Sequence, residues 1–346
     1  MNMLSGTNDF FGLDIGTTAI RLVELSGSGQ ARSLVRYAHV PVDPKVSQSS
    51  ARADQQKLAQ VIADLMAQAK ITTRNVAVGL PSSKVFTTVV EMDKLAPSEL
   101  GKAIHLQADS LIPTPPATST IYWALLGDSP ADANKSEVLI SSISNEFTEA
   151  RLDMLESIGL NVIAFEPDNL ALARAVMAPN ATGMQMAVDI GAYSTDIVLC
   201  VNGTPRLARS ISTGSDGFVR AAAQNLNVDE QRAEQFVFKF GLMEDKLEGQ
   251  VHKAIVGVVD TLAAEIEKSI KFATTRYANM KLERVIVTGA GAVLPNFTQY
   301  ISDKTGTPAE VGDVWRNVSY PAGRQSELAS IASSFAVAAG LAERAE

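Results

Sequence analysis

Two stretches of the chain carry residues whose order could hold a phosphate. They are Leu13-Asp14-Ile15-Gly16-Thr17-Thr18-Ala19-Ile20-Arg21 and Val188-Asp189-Ile190-Gly191-Ala192-Tyr193-Ser194-Thr195-Asp196. In both, an apolar run ends in Asp-Ile-Gly, passes through a small hydroxyl-bearing turn and resumes as a β-branched run. That pattern predicts strand, tight turn, strand. A glycine at the tip lets backbone N–H groups approach an anion without a Cβ between them, and Thr17, Thr18, Ser194 and Thr195 add hydroxyl donors. Each aspartate would repel a phosphate directly, and becomes useful when a Mg²⁺ with its retained waters stands between them. One such hairpin is an ordinary turn; two, each closing the first strand of a half, point to a nucleotide. A third candidate is the run Val285-Ile286-Val287 ending in Thr288-Gly289-Ala290-Gly291-Ala292, a strand delivering a glycine turn able to pass close to a nucleoside.

The elements that must position these turns are numerous. At 346 residues and 46% hydrophobic content the chain is expected to build two lobes with separate cores. A net charge of −8, with Lys and Arg scattered, argues against nucleic acid. The single Cys200, in an apolar run, reads as a buried small hydrophobe, and His39, His105 and His252 stand in no metal-ligand spacing. The polar start, Met1 to Asp9, lacks the regions of a signal peptide, and no run approaches the roughly eighteen apolar residues of a membrane span. The expectation is a cytoplasmic protein.

After the first hairpin and its turn Ser26-Gly27-Ser28-Gly29, Leu34 to Val40 predicts a third strand, Val42 to Ser50 a polar loop, and the residues from Asp54 an amphipathic helix on Leu58, Ile62, Leu65 and Met66. A unit of different pattern follows: strands at Val76–Pro81 and Val85–Val90, a helix opening at Pro97 and stopped by Ile112-Pro113-Thr114-Pro115-Pro116, strands at Thr120–Leu126 and Glu137–Ile143, and a helix capped by Asn145 and ended by Gly159. Asn161 to Phe165 predicts a short strand, and Pro167 opens a small-residue helix. Beyond the second hairpin, helices are expected at Phe218–Leu226, Asp229–Phe240 and Val251–Tyr277, and a final helix over Leu328–Leu341, small enough in its side chains to approach another backbone closely. The boundaries that result are 8–72 for the first lobe, 73–160 for an inserted α+β subdomain, 161–180 for a return to the first lobe, and 181–346 for the second lobe, with helix 328–341 returning to the first.

Two Asp-x-Gly hairpins, a Gly-x-Gly turn and a small-residue final helix resemble the superfamily of actin, the heat-shock ATPases and the sugar kinases. Within it, Phe11-Gly12-Leu13-Asp14-Ile15-Gly16-Thr17-Thr18, Leu106-Gln107-Ala108-Asp109-Ser110-Leu111-Ile112-Pro113, the helix from Glu166-Pro167 to Arg174, and Phe335-Ala336-Val337-Ala338-Ala339-Gly340 resemble the PilM family of type IV pilus assembly. The resemblance implies an α/β fold, two-lobed and actin-like (ribonuclease H-like), with an inserted subdomain as in FtsA. It implies ATP and Mg²⁺, with Asp14, Gly16, Thr17 and Thr18 at the first phosphate loop and Asp189, Gly191, Ser194 and Thr195 at the second. Asp14 and Asp189 would face the metal, and Arg21 stands where many members carry a phosphate-contacting lysine. Gly214 falls near the ribose, Gly289, Ala290 and Gly291 at the nucleoside, and Glu234 beside it.

The resemblance also gives Glu166 two readings, a carboxylate that orients the hydrolytic water or a first-turn acid favoured by the helix dipole. Turnover is expected to be slow at most. The implied partner is the amino-terminal peptide of PilN, held in a groove between the first lobe and the insert, with the helix and corner from Pro97 to Pro116 as its wall. Through PilN the chain would reach PilO and the inner-membrane platform. Contacts to the pilus motor ATPases and self-association stay open, as do an FtsA-like polymerising ATPase and the platform protein of type II secretion. A small-molecule kinase would need a catalytic aspartate at a strand end, and no unassigned one stands there.

Overall fold

A computed structural model of the chain describes residues 9–27, 29, 31–178 and 181–344. The expected polar lead before Asp9, the turn position Ser28 and the last two residues lie outside the described residues. The chain divides into two compact units, residues 1–175 with 314–329 and 337–346, and residues 176–313 with 330–336.

The first unit opens with the antiparallel strands β1 (Phe10–Ile15), β2 (Ala19–Ser26) and β3 (Arg32–Pro41), followed by α1 (Pro44–Ser47), α2 (Arg52–Ala69) and β4 (Asn75–Leu80). The inserted elements are β5 (Val85–Asp93), α3 (Pro97–Leu111), β6 (Ser119–Asp128) and β7 (Lys135–Ser144); α4 (Asn145–Glu156) follows, with Met154 and Leu155 buried in the core of the first sheet. The chain then returns through β8 (Asn161–Pro167) and α5 (Asp168–Val176), and later contributes β14 (Val318–Ser319), α10 (Gln325–Ile331) and α11 (Ala336–Ala342). The six strands lie in the order β14-β3-β2-β1-β4-β8, with β1, β4 and β8 parallel, so the carboxyl ends of these three meet along one edge.

Side-chain alternation explains how this sheet is covered. Phe11 and Leu13 face α2, where Leu58, Ile62, Leu65 and Met66 are buried against them. Each such side chain stabilises by about 1.5–3 kcal/mol. On the opposite face Ala77, Ala171, Val337 and Leu341 form a thin small-residue layer. Gly12 belongs to that face, where a Cβ would stand 2.4 Å from the Ala338 carbonyl oxygen, so α11 rests directly on the strand. The insert is a separate three-stranded sheet, β5-β7-β6, with Leu100 and Ile104 of α3 packed on Val138 and Ile140.

In the second unit five strands, β9 (Met184–Ile190), β10 (Thr195–Val201), β11 (Thr204–Ile211), β12 (Leu282–Thr288) and β13 (Ala309–Val311), lie in the order β11-β10-β9-β12-β13. Helices α6 (Ser215–Leu226), α7 (Glu230–Phe240), α8 (Gln250–Arg276) and α9 (Phe297–Thr305) cover one core, in which Phe218, Ile255, Val259, Leu262, Ile266 and Phe297 are buried. Cys200 is buried here, and burial pushes its thiol up to about 12, so it is inert at neutral pH.

Four local expectations change. The segment expected as a loop from Val42 to Ser50 contains α1, whose start is capped by the Asp43 carboxylate accepting from the Lys45 N–H at 2.9 Å. Asn145 does not cap α4; its side-chain oxygen accepts from Thr120 Oγ1 at 2.7 Å. Pro167 ends β8 rather than opening a helix, and α5 begins at Asp168. The expected helix over Leu328–Leu341 is broken into α10 and α11 by a tighter 3₁₀ turn at Ala332–Phe335.

Candidate functional site

The first hairpin joins β1 to β2 in a register that sets Asp14 opposite Arg21 and Ile15 opposite Ile20. Because β1 is buried along its length, the Asp14 carboxyl is buried with it, and Arg21 Nη1 lies 3.2 Å from Asp14 Oδ2. Burial raises the Asp14 pKa, and the guanidinium opposes that rise. The tip is pinned from outside through its carbonyls: Ser47 Oγ donates to Thr17 O at 2.7 Å and the Val42 N–H to Thr18 O at 2.9 Å. Among the described residues the Thr17 and Thr18 hydroxyls make no hydrogen bond. They are the uncommitted donors of this turn.

The second hairpin joins β9 to β10 and sets Asp189 opposite Asp196 and Ile190 opposite Thr195. The residue across from the aspartate is thus a cation in the first turn and a second aspartate in the other, and both aspartates of the second turn have further partners. Thr288 Oγ1 donates to Asp189 Oδ1 at 2.7 Å. Thr195 is fully buried and donates its hydroxyl to the Thr213 carbonyl at 2.7 Å, so it holds the turn together and is not a free donor. Ser194 makes no side-chain hydrogen bond among the described residues.

This turn is clamped by the start of α6. The Ser215 and Asp216 N–H groups donate to the carbonyls of Gly191 and Ala192, each at 2.9 Å. A Cβ on Gly214 would stand 2.5 Å from Ala192 O, and that contact explains the glycine. From the other side Gly289 adopts φ +82°, and a Cβ there would lie 2.4 Å from Ile190 O and 2.8 Å from Asp189 Oδ1. A Cβ on Gly291 would meet Ile190 Cγ2 at 2.3 Å, whereas Ala290 points its methyl group outward and is exposed. Asp189, Gly191, Gly214, Gly289 and Gly291 therefore converge on one knot of backbone. Glu234 stands on the exposed face of α7 and makes no hydrogen bond or ion pair among the described residues.

Beside the knot is a cavity of about 370 Å³, lined by Tyr193, Thr213, Gly214, Arg220 and Gln224 among others. Glu166 lies in the first unit, at the end of β8 opposite Gly79. It is buried and ion-paired with Arg174 and Arg344. Among the described residues no cluster of three or more His, Cys, Asp or Glu side chains could hold a metal. A pair of carboxylates plus phosphate oxygens and waters is nevertheless a normal Mg²⁺ donor set. Sequence reading missed Asp196. Its signal was available: laying one hairpin on the other matches Asp196 to Arg21.

The family described as type IV pilus assembly protein PilM matches residues 12–346. Among solved structures the chain is similar to the PilM–PilN type IV pilus biogenesis complex, with 26% identity, 96% of this chain and 97% of that chain covered, and a TM-score of 0.81. It is similar in fold to the ethanolamine utilization protein EutJ from Carboxydothermus hydrogenoformans, with 17% identity, coverage of 99% and 91%, and a TM-score of 0.59. MreB5 of Spiroplasma citri bound to AMPPNP shares 13% identity, with coverage of 97% and 95% and a TM-score of 0.56. The fold is that of the actin-like ATPases, and among the described residues no helix is long and apolar enough to cross a membrane. The chain belongs to the PilM family of type IV pilus assembly proteins.

Proposed function

We propose that the chain is an ATP-binding scaffold of the pilus inner-membrane platform, holding Mg·ATP with its two hairpins and the amino-terminal cytoplasmic peptide of PilN with its first unit. The observation that carries the nucleotide reading is the pair of hairpins, each presenting a carboxylate beside uncommitted hydroxyls. Thr17, Thr18 and Ser194 donate to phosphate oxygens, with Gly16 and Gly191 opening the backbone to them. Asp189 and Asp14 would hold Mg²⁺, which would supply positive charge to neutralise the phosphates. Asp14 already shares its charge with Arg21, 3.2 Å away, so Asp189 is the main ligand in this reading. Arg21 lies close enough to its turn to share a phosphate. Gly214 falls near the ribose, Gly289, Ala290 and Gly291 line the nucleoside with Glu234 beside it, and Glu166 is the carboxylate that would orient the hydrolytic water. Thr195 acts by fixing the turn.

The PilN reading is supported by the similarity to the PilM of a PilM–PilN complex over nearly the full chain. It is supported as well by apolar side chains left exposed on the insert: Leu95, Leu106 at 86% exposure, Tyr122 and Leu125. A folded chain gains nothing by showing four such groups to water, and a peptide with apolar side chains would cover them. PilO and the inner-membrane platform are reached through this attachment, which also holds the protein at the inner face of the membrane.

The test is fluorescence anisotropy of a labelled PilN amino-terminal peptide, with and without Mg·ATP, on the wild-type protein and on Leu106→Asp. Leu106 is so exposed that the substitution leaves the fold intact. Saturable binding, tighter with nucleotide and at least about tenfold weaker in Leu106→Asp, is expected. Unchanged affinity in the variant would remove α3 from the groove. Absence of binding to the wild type, together with sedimenting polymer in ATP, would favour the polymerising ATPase instead.

A further inference from the structure

Glu166 sits where a strand end should offer a carboxylate, yet the structure gives that carboxylate a full set of partners. It is 4% exposed, turned into the layer formed by α5 and α11. Arg174 grips it with both guanidinium nitrogens: Nη1 lies 3.1 Å from Oε2 and Nη2 is on Oε1. Arg344, from the segment after α11, adds a third contact, Nη1 to Oε2 at 3.1 Å. The two arginines are held in turn. Arg174 Nη1 donates to the Gly340 carbonyl at 2.7 Å, and Arg32 Nη2 of β3 donates to the Arg344 carbonyl at 3.1 Å. Arg344 is the outer member, with 40% of its side chain exposed, against 5% for the Glu166 side chain.

We propose that Arg344 and Arg174 form a latch that withholds Glu166 from the hydrolytic water. This rests on the reading of Glu166 as the carboxylate that orients that water. In the hydrolysis concerned, a water oxygen bonds to the γ-phosphorus, the bond from that phosphorus to the β–γ bridging oxygen breaks, and ADP leaves with the electron pair. The proton lost by the water passes through the orienting carboxylate to solvent. A carboxylate with three charge-assisted contacts has few lone pairs left for a water. The latch therefore keeps nucleotide bound and intact, as a scaffold requires. Arg344 is the part that can leave, because Arg174 is rooted in α5 and tied to α11. Arg174 and Arg344 act through Glu166 and are positioning residues.

The test is steady-state ATP hydrolysis by the full chain with four changes: Arg344→Ala, Arg344→Lys, Glu166→Gln, and Arg344→Ala combined with Glu166→Gln. Arg344→Ala is expected to raise kcat by about fivefold or more with KM unchanged. Lysine, which restores a cation, should return kcat toward the wild-type value. The double variant should fall to the rate of Glu166→Gln alone. A rate unchanged or lowered by Arg344→Ala, with Glu166→Gln still lowering it, overturns the latch and leaves the hydrolytic reading standing. If Glu166→Gln has no effect in either background, the reading of Glu166 fails and the latch with it. Because Arg174 still pairs Glu166 when Arg344 is changed, the Arg344 variants should melt within about 2 °C of the wild type, and Arg344→Gln serves as a second uncharged variant.

Discussion

The two hairpins have the same spacing and different residues facing their first aspartate across the strand pair. In the first, Asp14 faces Arg21 across the strand pair, and the turn is neutral on its own. In the second, Asp189 faces Asp196, and Thr288 donates to Asp189 across the adjoining strand. One sequence pattern thus serves two different tasks. The first turn offers hydroxyls above an Asp14–Arg21 pair, and the second offers a hydroxyl beside two aspartates set across the strand pair. Their mechanical support differs too, since the first is pinned by Ser47 and Val42 and the second is knotted between α6 and the end of β12.

Breaking the knot should have the largest effect. Gly289→Ala puts a Cβ against the Ile190 carbonyl at a left-handed φ, and a loss of about 3 kcal/mol or more in the second unit is expected, read by urea unfolding. Gly191→Ala sharpens the point. Its Cβ would stand 3.1 Å from Ser194 O, a contact relieved by a small shift, so a cost below about 1 kcal/mol is expected although the residue is nearer the tip.

Next comes the charge balance of the first unit, which extends to α11. Glu343 is buried, and burial lifts its carboxyl from 4.5 to about 7 despite Arg32, Arg174 and Arg316 nearby. The folded state therefore binds its proton more tightly than the unfolded state. Its stabilising effect is complete below about pH 4.5 and is lost as pH rises to about 7, a decline of roughly 3 kcal/mol. Glu343→Gln should abolish this decline and stabilise the protein at pH 8, measured as melting temperature against pH. Somewhat smaller is the expected loss in Arg21→Met, about 2 kcal/mol, because Asp14 stays buried without its partner. Burial then acts on Asp14 unopposed, so this loss should grow with rising pH and fade in acid. A penalty independent of pH would mean that Arg21 matters through packing alone.

How much of this could be read from the sequence depends on how local its cause is. The hairpins and the glycine turn at Gly289 were legible because strand periodicity and turn chemistry are decided within a few residues; the assignment of the Val76–Pro81 strand to the insert was not, because β4 pairs between β1 and β8 in the main sheet. The pairing of Asp189 with Asp196 is equally local and could have been found by register. The commitments of single polar groups were not legible. Thr195 looks like a phosphate donor until Thr213 is folded onto it, and Glu166 looks available until Arg344 arrives from 178 residues away. The break between α10 and α11 was hidden for a similar reason: Ala332 to Phe335 have no helix-breaking residue, and the Ser333 carbonyl is drawn instead to the Gly289 N–H at 2.7 Å. Burial of Glu343 beside three arginines is likewise a property of the packed unit.

The contrast between the hairpins bears directly on how nucleotide is held, and equilibrium binding of a fluorescent ATP analogue decides it, titrated with Mg²⁺ on the wild type, Asp189→Asn and Asp14→Asn. Saturable binding to the wild type that tightens with Mg²⁺, with the tightening lost in Asp189→Asn and largely kept in Asp14→Asn, is the expected result. No saturable binding to the wild type, or a Mg²⁺ dependence that Asp189→Asn leaves untouched, would contradict it.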